Sequence, residues 1–189
     1  MSEVRGRIEE HVRRNPGVHF NELVRALDLA PGQVQHHLYR LLDGPSASTA
    51  SVGSHGEGAS LLAEERYGRT HYYPPTFDEW ERGALALVRR ETSRDVLRYL
   101  LEHGPSAPAA VAEELGIARS TLEWHLGHLV ECDVVEKERD DRGRVTLVLA
   151  RPEATLDLLA AVSPSLPERF VDRFTRLVDG LLEPPADEE

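Results

Sequence analysis

Apolar positions three and four apart recur in blocks along this 189-residue chain. Val4, Ile8 and Val12 predict a helix over roughly 3–14, ended by the stop signal Asn15-Pro16-Gly17. Leu23, Val24 and Leu27 predict a second helix near 21–28, for which Asn21 is the expected N-cap. After a short turn from Asp28 to Pro31, Val34, Leu38 and Leu41 line one face of a third. The signal then returns as helices over 92–103, 108–115 and 119–131, separated by His103-Gly104-Pro105 and by a turn at Gly116. A pair of strands follows each trio. SLLAEER and THYY flank Tyr67-Gly68-Arg69, a glycine-bearing hairpin turn, and DVVEKER and RVTLVLA flank Asp140-Asp141-Arg142-Gly143. In the second pair, Val145, Leu147 and Leu149 alternate as a half-buried strand requires.

The two halves are copies of one pattern. VQHHLYRLL at 34–42 aligns with LEWHLGHLV at 122–130 at an offset of 88 positions. At that offset Ile8 matches Val96, Val12 matches Leu100, Leu23 matches Val111 and Leu27 matches Leu115. Leu29 then matches Ile117, and Leu38 matches Leu126, without a gap. A short helix, a tight turn and a longer helix form a helix-turn-helix, and a following hairpin makes it winged. The expected fold is therefore mainly α with two β-hairpin wings. Two tandem winged helix-turn-helix domains, 1–75 and 92–150, are joined by a helix within 76–91. Beyond 150 two further helices are expected, near 152–162 and 167–182, before the acidic end EPPADEE. Segment 44–60, GPSASTASVGSHGEGAS, has no periodicity and reads as a flexible loop.

The net charge of −11 speaks at first against nucleic acid, but it is unevenly spread. Residues 1–75 hold 8 basic and 9 acidic residues, a balance of −1, and the remainder holds 14 and 24, a balance of −10. Of 22 basic residues only Lys137 is lysine, which is the bias of a GC-rich genome. With the surplus of Asp and Glu it also fits a protein kept soluble in concentrated salt. No run of about 18 apolar residues marks a membrane span, and the first residues lack the apolar stretch of a signal peptide. A cytoplasmic location without membrane partners is expected. The single cysteine, Cys132, forms no internal disulfide.

The motifs QHHLYRLL, GRTHYYP, ARSTLEWHLGHLVE and VVEKERDDRGRVTLVL resemble those of tandem winged-helix transcription regulators of salt-loving archaea, within the broad ArsR/MarR-like superfamily. The likeness spans residues 1–150. It implies recognition of double-stranded DNA by the third helix of a domain, with the wing on the adjacent backbone. The long segment 44–60 departs from the compact form of such domains.

With Val34 set towards the core, the opposite face of the third helix carries Gln33, His36, Tyr39 and Arg40. Gln pairs bidentately with adenine and Arg with guanine, while His and Tyr suit phosphate and sugar. The alternative is a merely solvated face. The second copy offers Ser120, Thr121, Trp124 and His128 outward, with Glu123 and Glu131 beside them and no basic residue between Arg119 and Glu131. Trp124 either inserts at DNA or packs against the joining helix or another subunit. Arg66, Arg69 and Thr70 on the first wing, and Arg142 and Arg144 on the second, are candidate backbone contacts or ordinary solvated charges. His37 and His125 lie nearer the core edge and read as packed, hydrogen-bonded histidines.

Phe170, Phe174, Leu177 and Leu181 give helix 167–182 an apolar stripe that suits homodimerisation. The paired histidines lack the three or four converging ligands of a metal site, and no phosphate loop or nucleophile elbow is present. No cofactor, metal or catalysis is therefore expected. Two other readings stay open: a winged-helix scaffold for protein contacts, including those with the transcription machinery, and a ligand- or metal-responsive sensor.

Overall fold

The computed structural model describes residues 3–43 and 59–162. Helix α1 (Glu3–Arg14) buries Ile8 and Val12 and carries the ion pairs Glu9–Arg13 and Glu10–Arg14 at helical spacing. It stops where Asn15 donates from its side chain to the His11 carbonyl. Gly17 follows with φ of +78°, and a Cβ there would meet the Tyr73 ring at 3.3 Å. The chain then forms a two-residue strand, β1 (Val18–His19), that the hydrophobic pattern does not announce. Helix α2 (Phe20–Leu27) is capped by His19, whose Nδ1 accepts from the Glu22 amide at 3.1 Å, and not by Asn21 as the sequence suggests. An imidazole nitrogen fills the role usually taken by Ser, Thr, Asp or Asn. Helix α3 (Pro31–Asp43) begins with proline, which loses no hydrogen bond there, and Gln33 Oε1 accepts from the Ala30 amide at 3.3 Å.

Strands β2 (Leu62–Arg66) and β3 (Arg69–Tyr73) pair antiparallel, and β1 adds to the free edge of β3 in the order β1-β3-β2. The turn is two residues, Tyr67 and Gly68, both at positive φ, with Arg69 already paired to Arg66. That conformation matches the twist of a tight hairpin. The first core gathers Ile8, Val12, Leu23, Val34, Leu38 and Tyr72.

Helix α4 (Glu79–Val88) opens on a capping box between Asp78 and Glu81, and its residues Gly83 to Val88 are all buried. Sequence periodicity presents it as a joining helix; in the fold it is core material. It packs with α5 (Glu91–His103), α7 (Arg119–Glu131) and α8 (Pro152–Val162), while α6 (Pro108–Glu114) lies against α7. The second hairpin, β4 (Val135–Arg139) with β5 (Val145–Leu149), covers this group, and a bridge from Ser106 to Leu147 pins its inner strand. The second core holds Leu85, Val96, Leu97, Leu122, Leu126 and Leu147 and also takes in Leu62 and Tyr73. The first hairpin thus serves both cores, which is why the two units meet along it.

His71, only 3% exposed, sits inside this hairpin and donates from Nδ1 to the Gly17 carbonyl at 2.7 Å. Its Nε2 is enclosed without a partner. Burial pushes its pKa below the ordinary 6.5, with the Gly17 bond opposing, and burial moves His11, His19 and His125 the same way. The folded chain therefore binds these protons less readily than the unfolded one. Their stability contribution is complete above the unfolded value and is lost as pH falls through the lower folded values. The melting temperature followed by circular dichroism should drop between about pH 7.5 and about pH 5.5, and His71→Gln should flatten part of that slope.

Candidate nucleic-acid interface

Helix α3 presents Gln33, Gln35, His36, Tyr39 and Arg40 to solvent, with Tyr39 61% exposed. Arg40 has no ion-pair partner among the described residues. The His36 and His37 rings lie edge to face, 5.2 Å apart, and His37 is half-buried with its Nδ1 enclosed and without the hydrogen-bond partner that the sequence suggests. Gln33 is exposed even though its amide oxygen accepts from the Ala30 amide just before its own helix.

Beside this face runs an open cleft of about 1070 Å³ between α2, α3 and β3. Gln35 and Tyr39 form one wall, Arg69 and Thr70 the other, and Arg25 stands at the rim. Arg69 and Thr70 are exposed. Arg66 is placed differently: it is half-buried, bound to Glu64 at 3.1 Å, and borders a smaller cleft with Trp80, Cys132 and Arg151. Of the first-wing candidates, then, only Arg69 and Thr70 stand beside the α3 face.

The second copy keeps the scaffold and changes the surroundings. Ser120 and Thr121 are exposed, while Glu123 is neutralised by Lys137 at 2.7 Å. Trp124 remains 51% exposed, but Arg90 lies over its ring at 5.3 Å and over the Tyr67 ring at 5.4 Å. Arg90 also donates to the Tyr67 carbonyl at 2.8 Å. His128 stacks at a tilt on Tyr67, with centroids 4.6 Å apart, and meets Trp124 edge-on at the same separation. The Tyr67 hydroxyl and Cys132 Sγ are 2.7 Å apart. His125 bonds through Nδ1 to the Ser93 hydroxyl at 2.8 Å.

On the second hairpin Arg142 is exposed, whereas Arg144 is held by Asp140 at 2.6 Å. Asp140 also accepts from the Arg142 and Arg144 amides, and those bonds hold its carboxyl below the usual range. It is a turn-forming residue as much as a surface charge. Phe170, Phe174, Leu177 and Leu181 lie outside the described residues, as does segment 44–58. Among the described residues no three His, Cys, Asp or Glu side chains are grouped to hold a metal. No helix among them is long and apolar enough to cross a membrane.

Sequence reasoning overlooked Arg89, Arg90 and Tyr67. Arg89 donates from Nε to the Pro16 carbonyl and from Nη1 to Glu22, both at 2.8 Å, tying the end of α4 to the start of α2. The available signal was a pair of arginines directly after the apolar run ALALV, where a solvated helix end does not require two.

Residues 2–85 match a family model described as an N-terminal HTH domain, and residues 90–138 match one described as a helix-turn-helix domain. An uncharacterized HTH-type transcriptional regulator of Methanocaldococcus jannaschii is 26% identical over 146 residues, which are 77% of this chain and 33% of that protein. The chain thus spans about a third of the length of this relative. Among solved structures, overoxidized AbfR bound to DNA aligns with a TM-score of 0.41 at 21% identity, over 55% of this chain and 79% of its own. The transcriptional regulator Tm0710 from Thermotoga maritima aligns with a TM-score of 0.38 at 19% identity, over 54% and 80%. The two helix-turn-helix matches lie end to end, the first over the first helical trio and its hairpin and the second over the second trio and most of β4, on a mainly helical fold with two β-hairpin wings.

Proposed function

We propose that this chain is a transcription regulator that binds double-stranded DNA and reads bases through α3 of its first domain. The observation that carries the reading is the contrast between the two copies. Gln33, His36, Tyr39 and Arg40 lie on an open face, while the matching face of α7 is engaged by Arg90 and Tyr67. A helix with an outward Gln and Arg suits adenine and guanine edges in a major groove. Arg69 and Thr70, across the cleft from Tyr39, are placed to grip the flanking backbone. Arg142 offers a second backbone contact from the other hairpin. Ser120 and Thr121 stand open at the start of α7, but with Arg90 and Tyr67 engaging that helix they lie outside the proposed DNA-reading surface. Arg66 and Arg144 enter as weaker contributors, because each already holds a carboxylate. The regulator role is also supported by the relative in Methanocaldococcus jannaschii, an uncharacterized HTH-type transcriptional regulator.

The excess of acid and the near absence of lysine support a setting of concentrated salt. There, counterion release gives little affinity, and direct hydrogen bonds must supply it. The test is fluorescence anisotropy of genomic duplex fragments in high KCl with competitor DNA. Saturable binding of a subset of fragments is expected; no binding to any of them would move the chain to the scaffold reading. We further propose that the apolar stripe of 167–182 joins two copies, so that half-sites lie about one helical turn (~34 Å) apart or a multiple of it. Light scattering in the same buffer should return twice the chain mass, and a monomeric mass would remove the dimer.

A further inference from the structure

At the internal offset of 88, Trp124 stands where α3 has His36, and His128 stands where α3 has Arg40. These two side chains meet the turn of the first hairpin. Tyr67 rests on His128, Arg90 lies between the Tyr67 and Trp124 rings, and the Tyr67 hydroxyl bonds Cys132 one residue beyond the end of α7. We propose that the outward face of α7 is an internal docking surface whose partner is the Tyr67-Gly68 turn of the same chain. While docked, the turn keeps the second helix-turn-helix from reading bases and fixes the first wing beside α3.

A helix with its side chains is about 10–12 Å across, and the major groove is about 12 Å wide. A helix carrying a hairpin turn on its outward face does not enter. The face has also exchanged chemistry in the direction docking requires. An arginine in the first copy becomes a histidine that receives a ring, and a histidine becomes a tryptophan that receives a guanidinium, the best aromatic partner for one. Glu123, the nearby acid that would repel phosphate, is already paired with Lys137. Arg90 ties the arrangement to the covalent junction between the units, since it is the N-cap of α5 and donates to the Tyr67 carbonyl.

Two variants open the clasp while sparing the local backbone. Tyr67→Asn removes the ring but suits the positive φ of 53° at this position, and Arg90→Ser removes the guanidinium while supplying a helix cap. Two probes read the result without DNA. Cys132 is the single cysteine, and Tyr67→Asn should raise its rate of reaction with a disulfide reagent about tenfold at unchanged far-ultraviolet dichroism. In a Trp80→Phe background Trp124 is the only tryptophan, and either variant should raise its acrylamide quenching constant about twofold. Thiol reactivity and quenching unchanged in both variants would overturn the docking. A DNA arm tests its consequence: Ser120→Ala with Thr121→Ala in the otherwise native chain should leave duplex affinity within about twofold. A loss of about fivefold or more would show α7 in a groove with the clasp closed, and would overturn the proposal. Because the first two readouts need no duplex, a chain that bound no DNA would overturn the proposed function and leave the docking to be decided by them.

Discussion

Glu22→Gln is expected to lower the unfolding free energy by about 2–3 kcal/mol, and the melting temperature by about 5–10 °C. Arg89 is the reason. Its side chain is 9% exposed, it holds the Pro16 carbonyl and Glu22 at once, and its Nη2 is enclosed with no partner. Burial already pulls its pKa below the ordinary guanidinium value, Glu22 is the chief opposing influence, and Arg94 adds a like charge nearby. Removing one partner of a buried pair typically costs about 3–5 kcal/mol, because the other charge is left uncompensated. Glu22 is 33% exposed, so water recovers part of that loss, and the lower figure applies. Arg89→Met removes the buried charge together with the pair and should cost less than Glu22→Gln. Urea unfolding at several salt concentrations checks both points. The Glu22→Gln loss should persist in high salt, where an exposed pair such as Glu10–Arg14 would contribute almost nothing.

Most of the fold was legible because its cores are built from strictly periodic apolar positions. Ile8, Val12, Leu38 and Leu41 in one copy, and Val96, Leu100, Leu126 and Leu129 in the other, are all buried as their spacing demands. What was illegible depends on contacts distant in sequence. Strand β1 has two residues, too few for alternation to register, and it exists because the outer edge of β3 passes beside it. The His19 cap could not be ranked above Asn21, since cap choice turns on a residue or two of backbone geometry. The role of α4 was hidden for a different reason. An unbroken apolar run at a domain junction fits equally a joining helix and a core helix, and only its packing against α5, α7 and α8 decides.

The candidate site was legible on one side only. The exposure of Gln33, His36, Tyr39 and Arg40 follows from Val34 and Leu38 facing inward, which periodicity alone determines. The sequence also marked Trp124 as unlike its counterpart in the first copy. It did not name the partner, because Tyr67 lies 57 positions away and Arg90 lies 34 away, in segments read as a turn and the end of a joining helix. Arg66 shows the same limit. Its partner Glu64 is two positions off on one strand face, a spacing that charge counting treats as two separate surface residues.

Replacing both Gln33 and Arg40 with alanine carries the second large effect. A well-placed bidentate contact to a base edge is worth about 1–3 kcal/mol. Arg40 is fully available, whereas Gln33 divides its amide between the Ala30 cap and solvent, so the pair should lose about 2–4 kcal/mol together. At 1.4 kcal/mol per tenfold, this is a weakening of roughly 30- to 1000-fold. Neither side chain is buried, so the variant should melt within about 1–2 °C of the native chain. Trp124→Ala, which alters only the second copy, should change duplex affinity by less than about threefold. The decisive measurement is a single set of anisotropy titrations in high KCl with one selected duplex and these three proteins. The account predicts that the Gln33→Ala/Arg40→Ala chain alone loses binding. Equal affinity for all three, or a larger loss from Trp124→Ala, would contradict it.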